Sequence, residues 1–331
     1  MSEAEWMSGD LNPELSIVIP CFNAGEYLPS TLESLKPLMI AGVEIILVDD
    51  GSTDNTREVV EPFLGENVRY YTQRNSGGPA SPRNVGIQRA RGSFIGLFDS
   101  DDISISGHFI HAIKLMKDHP TVGMICGNFD ISDETLKIER PRVLDEYSAL
   151  QNVLVQKVET GAWLLRGDTA FSVLLQKNFV GTSSVIIRKK AFERVGYFDQ
   201  SLKNLDDRDM WLRVARHYDV IYRDEPTYIY RSVATSISKQ GIERQGLERT
   251  SVGKKLISEG LSPIHRKLAR QWIGRNYLEV GYCRFKLEQK SAARDVFLKS
   301  FIYAPSWSAF KGIVKSLLPR SAYLSIKRLK P

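Results

Sequence analysis

Three short apolar runs, each closing on acids or small polar residues, constrain this chain more than any other feature. Residues 15–20, 43–48 and 93–98 are rich in Ile, Val, Leu and Phe and are too short for buried helices. Such runs read as strands covered on both faces. A helical pattern follows the first, with Tyr27, Leu28, Leu32 and Leu35 on one side and Pro29 tolerable in the opening turn. Residues 53–64 read as a second helix, with Thr53 or Asp54 as its N-cap. Residues 68–73 read as a further strand, and 85–91 as a helix after the Gly/Pro-rich loop 75–82. Strand and helix alternate at short spacing, which implies parallel strands joined by crossover helices. In open α/β sheets the ligand lies beyond the carboxyl ends of the strands. Three such ends carry Pro20-Cys21-Phe22-Asn23, Asp49-Asp50-Gly51 and Asp99-Ser100-Asp101-Asp102, and they should converge on one crevice.

The remainder is less regular. Strands are expected at 123–129 and 183–187, a helical stretch near 147–155, and a helix over 205–217 entered through acids. Beyond Ser238 strand signals vanish, and 256–318 reads as successive amphipathic helices. Residues 277–305 have the spacing of a helical hairpin, resembling one tetratricopeptide-like unit. One unit cannot make a solenoid, so it is expected to pack as an add-on against the main domain. With 331 residues the chain has room for one large domain and a smaller appendage. The expected division is a tail over 1–14, an α/β domain over 15–238 and a helical region over 239–331.

Composition excludes several classes. No apolar run approaches the roughly 18 residues of a membrane span. Glu3, Glu5, Asp10 and Glu14 give the N-terminus the wrong charge for a signal peptide. Cys21, Cys126 and Cys283 are too few and too scattered for a disulfide framework or a zinc site. A cytoplasmic location is the expectation. There is no GxxxxGK[ST] phosphate loop. The net charge is +6, and residues 311–331 hold six Lys or Arg and no acid. That stretch reads either as a solvated helix end or as a contact for an anionic surface at the inner face of a membrane. No nucleic-acid partner is expected.

The acid clusters carry the chemistry. Asp99, Asp101 and Asp102 repel one another unless a cation neutralises them, and hard divalent ions such as Mg²⁺ or Mn²⁺ favour oxygen ligands. Alternatively they form a polar turn that caps a helix near Gly107. Asp49-Asp50-Gly51 is a turn signal, and equally a place to accept a base N–H or a ribose hydroxyl. Asp206, Asp207 and Asp209 precede the apolar face of Met210, Trp211, Val214 and Ala215, where a helix dipole alone would favour them. Together with Arg83 and its Gly-rich loop, these acids describe a nucleotide-diphosphate site with a metal and a spare carboxylate.

At this point a family resemblance is visible. Ser16-Ile17-Val18-Ile19-Pro20-Cys21-Phe22-Asn23 and Val48-Asp49-Asp50-Gly51-Ser52-Thr53-Asp54 resemble the opening of glycosyltransferase family 2. Pro82-Arg83-Asn84-Val85-Gly86-Ile87, the acids at 99, 101 and 102, Thr182-Ser183-Ser184-Val185-Ile186-Ile187-Arg188, Val195-Gly196-Tyr197-Phe198-Asp199 and Asp207-Arg208-Asp209-Met210-Trp211-Leu212 follow in the family's order. The resemblance covers about residues 15–238. It implies a GT-A fold, a Rossmann-like mixed sheet flanked by helices, followed here by a small all-α region. It also implies a nucleotide-sugar donor, with a UDP-sugar favoured, a carbohydrate-type acceptor, a divalent metal and inversion at the anomeric carbon.

Carried over residue by residue, Pro20 and Asp50 lie against base and ribose, with Asn23 and Glu26 flanking that pocket. Arg83 contacts the diphosphate, Asp99 and Ser100 line the donor, and the metal ligand is Asp101 or Asp102. Asp207 takes the place of the catalytic base. Two positions depart from the pattern. Asp206 stands where Glu is common, and Val233 stands where a His often lies near the metal, leaving water or phosphate to fill that place. Arg231 is either a diphosphate contact or structural. The competing classes are a metal-dependent nucleotidyltransferase, which would want a basic Gly-rich signature absent from residues 20–27, and a non-catalytic nucleotide-sugar-binding module.

Overall fold

The structure, a computed structural model, describes residues 13–40, 42–105, 107–233 and 241–318. The chain divides into two compact units, Met1–Ala234 and Thr235–Pro331. The first is built from strands β1 (Leu15–Cys21), β2 (Val43–Asp49), β3 (Val68–Thr72), β4 (Phe94–Leu97) and β5 (Ile103–Ser104). It continues with β6 (Val122–Ser132), β7 (Ile138–Arg140), β8 (Gln156–Glu159), β9 (Ala162–Leu165), β10 (Ile186–Arg188) and β11 (Asp219–Arg231). Its helices are α1 (Leu28–Leu35), α2 (Thr56–Val60), α3 (Ala80–Arg89) and α4 (His108–Asp118), then α5 (Ser148–Gln151), α6 (Gly167–Gln176), α7 (Ala191–Val195) and α8 (Asp206–Ala215).

All of these strands form one mixed sheet in the order β3-β2-β1-β4-β10-β6-β11-β9-β8, with β5 paired to β11 and β7 to β6. β1, β2, β3 and β4 run parallel, and β10 enters antiparallel between β4 and β6. β1 and β2 are buried along their whole length. One face of β1 packs Ile17 and Ile19 with Leu28, Leu32 and Leu35 of α1 and with Phe109 and Ile113 of α4. The other face presents Val18 to α3, so closely that a Cβ at Gly86 would stand 2.3 Å from a Val18 methyl. Gly86→Ala would overpack that contact at a cost of about 1–3 kcal/mol. The order β2-β1-β4 reverses the direction of winding at β1, and the crevice beyond the carboxyl ends there is where a ligand belongs in such sheets.

Several expectations shift. The helix expected over 53–64 is only α2 plus a 3₁₀ turn, Glu61–Phe63, with Pro62 at its start. Neither Thr53 nor Asp54 is its N-cap; Asp54 instead accepts hydrogen bonds from the Thr56 N–H, the Thr56 hydroxyl and the Gly25 N–H. α3 begins five residues earlier than expected, at Ala80 directly after Pro79, because proline's fixed φ suits an opening helical turn. The strand expected over 183–187 is split into a 3₁₀ turn at Thr182–Ser184 and β10. β8, β9, α6 and β11 were not foreseen. The register of β11 against β6 breaks on both sides of Pro226, which erases the period by which a strand is read.

The second unit is helical: α9 (Ile242–Ser258), α10 (Pro263–Lys286), α11 (Lys290–Tyr303) and α12 (Trp307–Leu317). Its core joins Ile273, Tyr277 and Val280 of α10 to Val296 of α11. Ser262 and Ser306 cap α10 and α12 through the His265 and Ala309 N–H groups. Among the described residues no helix is long and apolar enough to cross a membrane. The expected N-terminal tail lies outside the described residues as far as 12, as do the segment 234–240 after Val233 and, past Leu318, the rest of the basic stretch that starts at Lys311.

Candidate active site

The carboxyl end of β2 is tied down by its own acids. Asp49 accepts the Ser52 N–H at 2.8 Å, the Ser52 hydroxyl at 2.6 Å and the Tyr70 hydroxyl at 2.5 Å. Asp50, 3% exposed, accepts Gln73 Nε2 at 2.5 Å, the Ser76 hydroxyl at 2.9 Å and the Ser76 N–H at 3.0 Å. Gly51 has φ +79°, and a Cβ there would stand 2.9 Å from the Asn75 nitrogen, so the turn brings loop 73–76 hard against the strand end. Lys203 Nζ donates to the Ser76 carbonyl at 3.0 Å from the other side. Asn23 sits just past β1 at φ 47°. Its Oδ1 accepts the Thr53 N–H and its own N–H donates to Ser52, each at 2.8 Å. Pro20 is buried and pairs with Val48, whereas Glu26 is exposed.

Arg83 organises the second group. On α3 and 5% exposed, it donates from Nη2 to Asp99 at 2.7 Å and from Nη1 to Asp206 at 2.8 Å. It thus joins the end of β4 to the first turn of α8 across 123 residues of sequence. Asn84 braces the same junction by exchanging two 2.9 Å hydrogen bonds with the backbone of Phe198. The Phe198 ring lies 5.6 Å from the Arg83 guanidinium and meets the fully buried Trp211 edge-on at 6.1 Å. The resemblance implies that Arg83 contacts a diphosphate; here both of its terminal nitrogens are held by carboxylates.

Asp102 points inward. It is 1% exposed, and its two oxygens accept the Ser183 hydroxyl at 2.5 Å and the Arg231 N–H at 3.2 Å. Ser183 also accepts the Asp99 N–H at 3.0 Å, and the Ser100 carbonyl accepts the Thr31 hydroxyl at 3.0 Å. Of the two metal-ligand candidates, then, Asp102 is built into the protein. The Asp101 carboxylate is partly exposed and receives no hydrogen bond from another described residue. The Arg231 side chain donates to Ser30 at 2.7 Å and lies 5.0 Å from the Tyr27 ring, tying the end of β11 to α1. Val233 is 4% exposed and has no donor atom to offer a metal.

The electrostatics follow from this crowding. Burial, then the charge of Asp99, pushes the Asp101 carboxyl up to about 6. Burial, then Asp206, pushes Asp207 up to about 6 as well. Asp102 is raised well above the usual carboxylate range by burial and by Asp101. Asp206 is raised by burial in spite of Arg83. Among the described residues no group of three or more His, Cys, Asp or Glu side chains could hold a metal. An ion at Asp101 would therefore need ligand oxygens, which fits a phosphate-bearing ligand and a hard divalent cation. Ser183 was quoted only as part of a motif, without a role, and Gln73, Ser76 and Lys203 were not singled out from the sequence. Ser and Gln carry no motif of their own, and their role comes from contacts distant in the chain.

Comparison with known proteins identifies the family and the fold. The Glycosyl transferase family 2 description matches residues 16–196. Glycosyltransferase GlyG of Streptococcus pneumoniae serotype 4 is 27% identical over 230 residues, 68% of this chain and 73% of GlyG. The Bacillus subtilis glycosyltransferase EpsJ is 26% identical over 69% of this chain, which spans 63% of EpsJ's length. Among solved structures, S. aureus TarS 1-349 in complex with UDP-GlcNAc superposes with a TM-score of 0.67 at 17% identity, covering 95% of this chain and 92% of that one. The mannosyltransferase PcManGT of Pyrobaculum calidifontis, in complex with GDP-Man and Mn²⁺, gives 0.57 at 17% identity, covering 98% and 92%. The fold is the mixed GT-A sheet with helices appended.

Proposed function

The chain belongs to glycosyltransferase family 2, and from that premise we propose that it moves a sugar from a nucleotide-sugar donor, a UDP-sugar first, onto a carbohydrate-type acceptor with inversion. The observation that carries the reading is the Arg83 bridge, which joins Asp99 on the donor side to the Asp206-Asp207 pair at the head of α8. One face of the crevice thereby holds acids suited to a cation and phosphates, and the other holds an acid suited to a proton. The UDP and UDP-GlcNAc complexes of TarS support a uridine donor, and the GDP-Man complex of PcManGT makes guanosine the alternative to test.

Asp101, with the free oxygen of Asp99 beside it, fits a Mg²⁺ or Mn²⁺ ion whose remaining ligands are phosphate and water oxygens. Such an ion, when bound, supplies Lewis-acid stabilisation of the departing diphosphate. Asp102 holds the turn that presents Asp101, through Ser183 and Arg231. Arg83 acts as a positioning residue between Asp99 and Asp206 rather than as a direct clamp. Base and ribose would be read at the end of β2 by Pro20, Asn23 and Asp50, with Glu26 at the open rim. A base edge reaching Asp50 must displace Ser76 or Gln73, which makes loop 73–79 part of donor binding.

Asp207 is the general base. It is partly exposed, and its carboxyl titrates at about 6 because burial and Asp206 disfavour the charge. It is thus ionised at neutral pH yet far more basic than an ordinary aspartate, the condition for taking a proton from an attacking hydroxyl. A single displacement with one base inverts the anomeric centre. The free thiols Cys21, Cys126 and Cys283 support action on the cytoplasmic side, where thiols stay reduced. Nucleotide release from a set of UDP-, GDP- and dTDP-sugars, with Mn²⁺ and with chelator, tests the reading. Metal-independent release, or a product of retained configuration, would sink it.

A further inference from the structure

α12 buries its small residues and exposes its large apolar ones. The face it buries consists of Ala309, Gly312 and Ser316. At Gly312 a Cβ would stand 2.6 Å from the Phe297 ring of α11, so this small-residue face is what lets the two helices meet. Its large apolar side chains point the other way. Trp307 is 66% exposed, Phe310 42%, Val314 41% and Leu317 60%. Spaced three, four and three residues apart, they fall within one narrow arc of a helix turning 100° per residue. Trp307 and Phe310 stack at 5.2 Å, giving the arc a flat aromatic end. Phe301 and Ile302 near the end of α11 are exposed as well. A run of large apolar side chains left in water is unfavourable unless something covers it.

Charge says what covers it. Lys311 and Lys315 border the arc, and Lys311 Nζ lies 5.3 Å from the Trp307 ring. α12 contains no acid, and residues 241–318 as a whole hold fifteen Lys or Arg against six Asp or Glu. The sequence that follows adds Arg320, Lys327, Arg328 and Lys330, again without an acid. Two copies of such a face repel each other, whereas an anionic lipid surface attracts both parts of it. The apolar arc enters the acyl boundary and the lysines meet headgroup phosphates, with the aromatic end at the interface.

We propose that the outward face of α12 docks this protein on a bilayer carrying anionic headgroups. The proposal stands apart from the sugar-transfer reading, because none of its residues belongs to the crevice of the first unit. It also differs from the membrane contact expected from the sequence: the apolar arc of α12 supplies the hold, and Lys311 and Lys315 supply attraction to the surface. The test is cosedimentation of the full-length protein with phosphatidylglycerol-containing vesicles and with pure phosphatidylcholine vesicles, at low and high salt. Wild type should bind the anionic vesicles about tenfold or more better than the neutral ones, and salt should weaken the difference.

The triple variant Trp307→Ser, Phe310→Ser, Leu317→Ser should lose about tenfold or more of that binding even at low salt. Its far-UV spectrum, Tm and nucleotide release should stay unchanged, since all three side chains already face water. Lys311→Gln with Lys315→Gln should remove preference for anionic lipid more than binding itself. Equal binding by wild type and the triple variant overturns the proposal, as does absence of wild-type binding at low salt. So does a lipid-free dimer of wild type that the triple variant dissolves, which would assign the face to a second copy. Vesicle binding that appears only after removal of residues 319–331 would assign it to the chain's own tail.

Discussion

The acids at the end of β2 and those after β4 and at the head of α8 are satisfied in opposite ways. Asp49 and Asp50 are surrounded by donors: Ser52 and Tyr70 for one, Gln73 and Ser76 for the other. Asp101 and Asp207 instead stand among like charges, with carboxyls pushed up to about 6 by burial and by Asp99 and Asp206 respectively. A carboxylate saturated with hydrogen bonds holds a turn in place. A carboxylate left short of donors and crowded by acids stores a demand for a cation or a proton. The same residue type, in one α/β unit, thus divides into scaffold and chemistry according to its neighbours. Conservative Asp→Asn changes test the division, because they keep shape and remove charge.

The largest effect is expected at Asp207. Asp207→Asn should lower sugar transfer by roughly 10²-fold or more while donor affinity, measured by calorimetry, stays near wild type. Asp206→Asn should do less to the rate, because Arg83 retains Asp99 as a partner. Near wild-type transfer by Asp207→Asn would move Asp207 into the scaffold group and break the comparison where it matters most.

Asp101→Ala comes next. Titration of UDP into wild type should show affinity that rises with Mn²⁺, and in the variant that rise should disappear. Asp102→Asn should give a different pattern, a folding defect before a metal defect, because its oxygens serve Ser183 and Arg231. If the two variants responded alike to Mn²⁺, Asp102 would be as much a ligand as Asp101.

Asp50→Asn should invert the signature seen at Asp207. An amide in that place offers one acceptor where the carboxylate uses both oxygens, and its NH₂ confronts the Ser76 N–H or Gln73 Nε2. Leaving buried donors unmatched costs about 1–3 kcal/mol, or roughly 2–10 °C in Tm for a unit of this size. Thermal unfolding of the two Asp→Asn variants side by side measures this. A Tm loss at Asp207 equal to that at Asp50 would remove the distinction.

How much of this was legible in the sequence follows the same physics. β1, β2 and β4 were readable because strands covered on both faces are written as near-continuous apolar runs, broken here only by Ser16 and Glu44. α8 was readable because its first turn is acidic and the residues after it are apolar. β11 was not, since Pro226 and three register shifts break its alternation. Arg83, Asp99, Asp101 and Asp207 could be named from motif order. That order could not say that both hands of Arg83 are held by acids, or that Asp102 turns inward onto Ser183. Those facts depend on pairings across 123 and 81 residues, which are set only when the sheet closes.

The smallest expected effect is on stability as a function of pH without metal, and it has an unusual sign. Asp101 and Asp207 titrate at about 6 when folded, above the ordinary aspartate value. Between that ordinary value of roughly 4 and 6, the folded protein holds protons that the unfolded chain has released. Their contribution to stability is therefore present in full below about 4 and is lost as pH rises through 6. Glu44 pulls the other way. Burial opposes its charge, but hydrogen bonds from Ser16 and Arg91 and the Arg69 charge hold its carboxyl low, so the total Tm of wild type mixes both trends. The difference between variant and wild type isolates the site. Asp207→Asn should be level with wild type near pH 4 and slightly more stable near pH 7, where repulsion from Asp206 and Asp99 is relieved. Mn²⁺ with UDP should offset the same repulsion at Asp101 and raise wild-type Tm more at pH 7 than at pH 5, because binding requires the ionised acid. A variant-minus-wild-type difference that stays flat from pH 4 to 7 would mean that Asp207 does not carry the raised pKa on which its role as base rests.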